Sequence, residues 1–389
     1  HAPGAAGDVS RHPRGMTGNL LLTLGRLPKA LDVARGFADL GWRVAVAEPF
    51  KRHLAGASRA VAQSHQVTAP AEDKQAYLAD LRRIIADEKI DLVLPVSEET
   101  MHVAFLRENL PASTRLFTMP HEILLRLHNK HGFAQQTAAW GLAVPETHAL
   151  GDPAAEALAQ SGPVVIKPVH SCSGRGVRLL PAGATLPAPD PAIPTIVQRC
   201  VIGAEYSSCS IAHDGRVAST VIYRAAQKSG SVAVAFERVE HPAIADWTTR
   251  FIAAANWTGF IAFDVMVDEA GLPWGIECNP RTTSGLHFWE RADIARAVLE
   301  PGFIPRYRPE SRLQQFYSAL TETQMSLFRP GPFRDNLRQL VSTRDVTWDR
   351  RDPMPFLTMT ATSWPIIRMA MARGATFGEV ATLDVGWYD

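Results

Sequence analysis

Residues 263–281 read FDVMVDEAGLPWGIECNPR. FDVMVD and LPWGIECNP have the pattern of two strands, and Glu269-Ala270-Gly271 between them are turn residues. The stretch therefore predicts a hairpin. Asp264 starts the first strand. Glu277 and Asn279 end the second, two residues apart, so their side chains leave on one face. Across the hairpin, Asp264 and Glu277 meet at one end of the sheet. Two carboxylates and an amide oxygen there suit Mg²⁺, or Mn²⁺ in its place, because such a cation takes oxygen ligands and keeps waters and phosphate oxygens in its shell. Arg281 follows closely enough to neutralise a phosphoryl group. The same pattern also fits a surface hairpin with ordinary polar ends, so the rest of the chain has to decide.

At 389 residues the chain predicts two or three domains. It is 46% hydrophobic and 20% charged, enough apolar material for a substantial core. A net charge of +1 leaves no excess to neutralise nucleic-acid phosphates. Cys172, Cys200, Cys209 and Cys278 form no CxxC pair and no zinc spacing, and read as reduced thiols of a cytoplasmic protein. No apolar run is long enough to span a membrane; Met354–Ile367 is too short and holds Pro355 and Pro365. Residues 1–15, HAPGAAGDVSRHPRG, lack the apolar core of a signal peptide and read as a flexible tail.

From Met16 to residue 118 strands alternate with helices. Asn19–Leu24 is a buried strand and Gly25-Arg26 a turn. Pro28 opens a helix that Gly41 stops, and Trp42–Ala47 is a second strand. Glu72–Glu88 is an amphipathic helix. Ile90–Val96 is a strand with Glu98 and Glu99 just past its end, and Arg115–Thr118 is a weak further strand. Such alternation predicts an α/β domain of doubly wound parallel type, with ligands outside the carboxyl ends of the strands, near Arg26, Glu98 and Glu99. Those residues also fit plain turn and helix-start chemistry. No GxGxxG and no GxxxxGK[ST] is present. Residues 119–143 read as linker helices.

A small sheet domain is expected over 144–212: Pro163–Pro168 with Lys167 near its end, the loop HSCSGRGV (170–177), the strand Thr195–Cys200, a turn Gly203-Ala204-Glu205, and the strand Tyr206–Ala212. Residues 213–304 continue the sheet through the hairpin. Residues 305–389 read as a helical extension, with Leu313–Gln324 helix, Pro330–Arg334 loop, and Phe356–Met371 a helix interrupted at Pro365. Its apolar helix and Trp387-Tyr388 fit either core closure or a homodimer contact.

Taken in order, Lys130, Lys167-Pro168 with its glycine loop, Gln198-x6-Glu205 and Asp264-x12-Glu277-x-Asn279-x-Arg281 resemble the ATP-grasp superfamily over Leu20–Gly285. GIECNPR fits the ExNxR form of the biotin carboxylase and carbamoyl phosphate synthetase branch. The resemblance implies an N-terminal doubly wound domain, a small lid, a central antiparallel ATP domain and the helical extension. It also implies residue roles. Lys130 and Lys167 hold ATP phosphates as point charges. Ser171, Ser173, Gly174 and Gly176 fold over the β- and γ-phosphates with their backbone N–H groups. Gln198 and the Cys200–Val201 backbone meet adenine, and Glu205 accepts from the ribose. Asp264, Glu277 and Asn279 hold Mg²⁺, and Arg281 stabilises the transferring charge. The chain departs from the family where Gln198 is followed by Arg199 and Cys200 rather than an acid followed by apolar residues.

The implied reaction is ATP-dependent coupling of a small carboxylate, activated as an acyl phosphate, to an amine, with the protein supplying position and charge rather than a nucleophile. Arg26, Glu98, Glu99, Arg224 and Arg238 are candidates for the substrate; Arg224 and Arg238 also fit as surface charges. A single grasp chain with a helical extension looks like amino-acid or peptide ligases of secondary metabolism. Two alternatives stand beside it: a nucleotide-binding regulatory protein without turnover, and a biotin-carboxylase-like carboxylase, though no Met-Lys-Met biotinylation signature is present.

Overall fold

Leu20, Leu21 and Leu22 are all fully buried, so the run NLLL is covered on both faces, as a central parallel strand requires. The computed structural model describes residues 17–170, 176–229, 232–327 and 330–388. The expected tail 1–15 and the loop residues Ser171, Cys172, Ser173 and Gly174 lie outside them. In chain order the first domain runs β1 (Asn19–Leu22), α1 (Pro28–Asp39), β2 (Arg43–Glu48), β3 (Gln63–Gln66), α2 (Lys74–Asp87), β4 (Leu92–Leu94), α3 (Thr100–Val103) and β5 (Arg115–Leu116). The strands form one parallel sheet in the order β3-β2-β1-β4-β5. The order reverses beside β1, so the carboxyl ends of β1 and β4 flank the crevice where such sheets bind ligands. β3, of sequence QSHQ, is a polar edge strand without the apolar alternation that would announce it.

Two helices, α4 (His121–His128) and α5 (Lys130–Ala139), lead to a four-stranded sheet ordered β6-β9-β7-β8. It comprises β6 (Thr147–Ala149), β7 (Val164–Pro168), β8 (Arg178–Leu180) and β9 (Thr195–Arg199), backed by α6 (Pro153–Ser161). Next come β10 (Gly203–His213), β11 (Arg216–Ser229), β12 (Val232–Val239), α7 (Pro242–Ala254), β13 (Gly259–Asp268) and β14 (Pro273–Asn279). The last third holds α8 (Arg291–Leu299), β15 (Arg312–Gln314), α9 (Phe316–Met325), α10 (Pro330–Ser342), β16 (Arg344–Asp345), α11 (Met354–Leu357), α12 (Met359–Arg373) and α13 (Phe377–Val380). A seven-stranded sheet runs β14-β13-β10-β11-β12-β15-β16.

Several expectations are corrected. Gly203-Ala204-Glu205 is not a turn: these residues pair in the ladder with Asp268, Val267 and Met266, and that pairing overrides their turn-like composition. Asp264 lies mid-strand, five residues into β13, rather than at its start. Leu313 and Gln314 are strand, and the helix begins only at Phe316. Pro330–Arg334 opens α10, whose first turn tolerates proline. The break in the C-terminal helix falls at Thr358, between α11 and α12, while Pro365 sits inside α12.

The hairpin is braced from behind. Phe263, fully buried on the face opposite Asp264, packs against Phe251 at 4.6 Å and Trp247 at 5.1 Å, both on α7. Each such aromatic pair adds about 0.5–1.5 kcal/mol beyond its burial. Gly275 is required where β14 crosses Trp247, since a Cβ there would meet the indole at 2.4 Å. The last third is part of the same body: Leu313, Val346 and Val385 share one core with Leu20, Phe37, Phe260 and Trp289. Trp387 stacks on Phe105 at 5.8 Å and lies 5.0 Å from His102.

Candidate active site

The hairpin brings its two acids together. Asp264 and Glu277 are direct partners across β13 and β14. Just beyond that pair the register shifts, from Asp264–Glu277 to Val265–Gly275, leaving Ile276 as the extra residue of a bulge. The Ile276 carbonyl accepts a hydrogen bond from Lys167 Nζ at 3.3 Å, reaching over from β7. Lys130 arrives at the start of α5, where Asn129 caps the helix by accepting from the Gly132 N–H at 2.9 Å. Its Nζ lies 3.2 Å from Glu277 Oε1. Asn279 donates to Asp264 Oδ2 at 3.2 Å, and Ser207 Oγ donates to Asp264 Oδ1 at 2.8 Å. Arg281 donates to Asn279 Oδ1 at 3.0 Å and pairs with Glu98 from the loop after β4.

The charges are strongly coupled. Burial, and then the charge on Glu277, push the Asp264 carboxyl up to about 6. Burial lowers Lys167 to about 8 against the opposing pull of Glu277. Burial raises the Glu98 carboxyl, but Arg281 beside it outweighs that and holds it below the usual carboxylate range. Two facing carboxylates, one carrying a pKa raised by burial and then by the charge of the other, form a site whose repulsion a divalent cation would relieve. The donor set of Asp264, Glu277 and the Asn279 amide oxygen fits Mg²⁺.

Other expected residues fall around this centre. Gln198 is buried in β9, its Nε2 donating to Thr147 Oγ1 at 2.9 Å. The Cys200 N–H donates to the Pro163 carbonyl at 3.0 Å, and Val201 follows it in the short link before β10. Glu205 lies on β10 two residues before Ser207, exposed and 2.7 Å from Lys228; its charge adds to the rise in the Asp264 pKa. Gly176 closes the glycine loop in the left-handed region, at φ +74°.

The substrate candidates divide. Glu98 reaches the centre through Arg281. Arg26 lines the adjoining cavity, but its guanidinium is held by Glu48 at 2.9 Å and Asp384 at 2.9 Å. Glu99 is wholly buried and accepts from Thr23 Oγ1 and the Val96 N–H, so it shapes the β4 loop instead of facing a ligand. Arg224 pairs with Glu237 on the surface, and Arg238 lies over the Tyr307 ring at 4.5 Å; neither lines the cavity.

That cavity, of about 1060 Å³, opens beside Arg281 and is lined by Lys29, Glu98, Ser207, Tyr223 and Thr283 at this end. Lys29 is the residue that sequence reading missed. It sits one residue after Pro28 at the carboxyl side of β1, and its Nζ donates to the Thr282 carbonyl at 2.9 Å. Burial, and then the charge of Arg281, lower it to about 7. Its signal lay in its place: it and Glu98 follow β1 and β4, the two strands at the switch point.

No protein-family model and no curated protein matches the chain. Solved structures do. An L-amino acid ligase from Bacillus licheniformis superposes with a TM-score of 0.57 at 18% identity, over 75% of this chain and 77% of that one. A carboxyaminoimidazole ribonucleotide synthase from Aspergillus clavatus, complexed with ATP, gives 0.59 at 15%, over 81% and 87%. A biotin carboxylase from Campylobacter jejuni gives 0.58 at 14%, over 76% and 72%. With these likenesses and the order of its three sheets, the chain has the ATP-grasp fold that its spaced lysines and Asp-x12-Glu-x-Asn-x-Arg motif implied.

Proposed function

We propose that the protein is an ATP-dependent carboxylate–amine ligase. The observation that carries this reading is the junction at Arg281. On one side stand two carboxylates and two lysines, and on the other a cavity with its own cation, Lys29. In the reaction a substrate carboxylate oxygen attacks the γ-phosphorus and the bond to ADP breaks. The amine nitrogen then attacks the acyl carbon, phosphate leaves, and the amine's proton passes to solvent.

Lys130 and Lys167 hold the phosphates. Gln198 and the Cys200–Val201 backbone meet adenine, and Glu205 meets the ribose. Mg²⁺ or Mn²⁺ bound by Asp264, Glu277 and Asn279 supplies charge neutralisation on the phosphates. Arg281, already oriented by Asn279 and Glu98, faces the charge that develops on the transferring group. ATP as co-substrate fits a cytoplasmic setting, and among the described residues no helix is long and apolar enough to cross a membrane.

The test is ADP and phosphate release from Mg²⁺-ATP against a panel of carboxylates crossed with amines, bicarbonate with biotin included, with Glu277→Gln as control. Release that needs one acid and one amine supports the ligase. Release only with bicarbonate and biotin moves the reading to a carboxylase. Tight ATP binding without release from any pair leaves a nucleotide-binding protein.

A further inference from the structure

The cavity beside Arg281 is too large for a simple amino acid. At about 1060 Å³ it stands at the top of the range, roughly 300–1,000 Å³, of pockets that enclose drug-sized ligands. That volume is not the phosphate site, because none of Lys130, Lys167, Asp264 and Glu277 lines it. It runs from Lys29 and Arg281 into the C-terminal third. There Phe316 and Tyr317 on α9, Ile367 on α12 and Phe377 on α13 are half-buried and line the space, with Phe236 of the central sheet behind them. At the polar end Arg281 pairs with Glu98, so the charge of a protonated Lys29 is left for a single carboxylate.

We infer that the acid substrate is amphipathic: its carboxylate lies between Lys29 and Arg281, and a large, mainly apolar body extends between the central sheet and the C-terminal helices. Glu322 and Ser318 also line the α9 side, where a hydroxyl or amine on that body can be met. This inference rests on the ligase reading for its assignment of the carboxylate end.

The test separates binding from turnover. Affinities of straight-chain and ω-phenyl carboxylic acids from two to twelve carbons are measured by calorimetry, and hydroxamate formation from ATP, acid and hydroxylamine is followed in parallel. Each buried methylene is expected to tighten binding about fourfold, the equivalent of ~0.8 kcal/mol, until the cavity is full. Ile367→Trp should shorten the best chain without changing acetate binding. Ile367→Ala, which removes contact without adding bulk, should weaken only the longer acids, and serves if the tryptophan variant fails to fold. Affinity that is flat with chain length, or no binding of any acid, overturns the inference; hydroxamate formed from small acids alone would do so while leaving the ligase intact. A rising series with no hydroxamate from any acid supports the amphipathic cavity and removes the ligase.

Discussion

Asp264 is held in the folded protein at a cost, and Asp264→Asn should expose it. Its pKa of about 6 stands roughly two units above the ordinary carboxylate value of about 3.8. A carboxylate whose folded value is raised destabilises the fold increasingly as the pH rises from its unfolded to its folded value, and fully above that, because the folded form disfavours the charge that the unfolded chain carries freely. Two units correspond to ~3 kcal/mol, and the partial exposure of Asp264 reduces this to about 1–2 kcal/mol. The amide is nearly isosteric and can keep both neighbours, with its oxygen accepting from Asn279 Nδ2 and its own NH₂ donating to Ser207 Oγ. The variant should therefore melt a few degrees above the wild type at about pH 8 without metal, and level with it at about pH 3, where the acid is protonated in the folded and the unfolded chain alike. Adding Mg²⁺ and ATP should stabilise the wild type and not the variant. Differential scanning fluorimetry at both pH values reads all of this. A variant less stable than the wild type at pH 8 without metal would refute the reasoning, since Asp264 would then be a stabilising charge.

Lys29→Met bears on the acid end of the cavity. Lys29 faces Arg281, Glu98, Glu99 and Cys209, and with its amine lowered to about 7, acid binding to the wild type should weaken as pH rises from 6 to 8. The variant should bind more weakly at pH 6 and lose that dependence in a calorimetric titration. Lys130→Met should raise the apparent Kd for ATP at least tenfold, a loss of about 1.5–3 kcal/mol for a charged hydrogen bond, measured with a fluorescent nucleotide. Arg26→Met leaves Glu48 buried without its partner and should cost about 3–5 kcal/mol in urea unfolding at pH 7. Burial raises the Glu48 carboxyl, but Arg26 outweighs it and holds the value low, so the stabilisation is present above about pH 4.5 and is lost below it; the two curves should converge in acid.

What could be read from the sequence follows from distance along the chain. Asp264 and Glu277 lie thirteen positions apart on strands joined by a tight turn, so the hairpin brings them to one end of the sheet, but the register from the turn alone would set Ile276 opposite Asp264, and it is the bulge at Ile276 that makes Glu277 the partner. The lysines needed more: Lys130 and Lys167 reach the pair only through the packing of α5 and β7, and the ordered resemblance placed them where local pattern could not. The cavity was illegible, because residues 29, 98, 207, 236, 316 and 367 meet in it from six separate elements or loops. Three segments misread or passed over share a cause. GAE, QSHQ and RLQ are too polar or too short to show a period, and only their strand partners make them strands.

The shared core also sets the order of assembly during synthesis. The apolar side of β1 and α1, with Leu20, Leu22 and Phe37, is completed by Trp289, Ile294 and Val298 and finally by Val385. At roughly 5–20 residues per second, a ribosome brings out that last residue only tens of seconds after the first strand has emerged. For that interval the nascent N-terminal domain presents an uncovered apolar face. Chaperone demand in the cell, and the yield of any shortened chain, should track how long that face stays open.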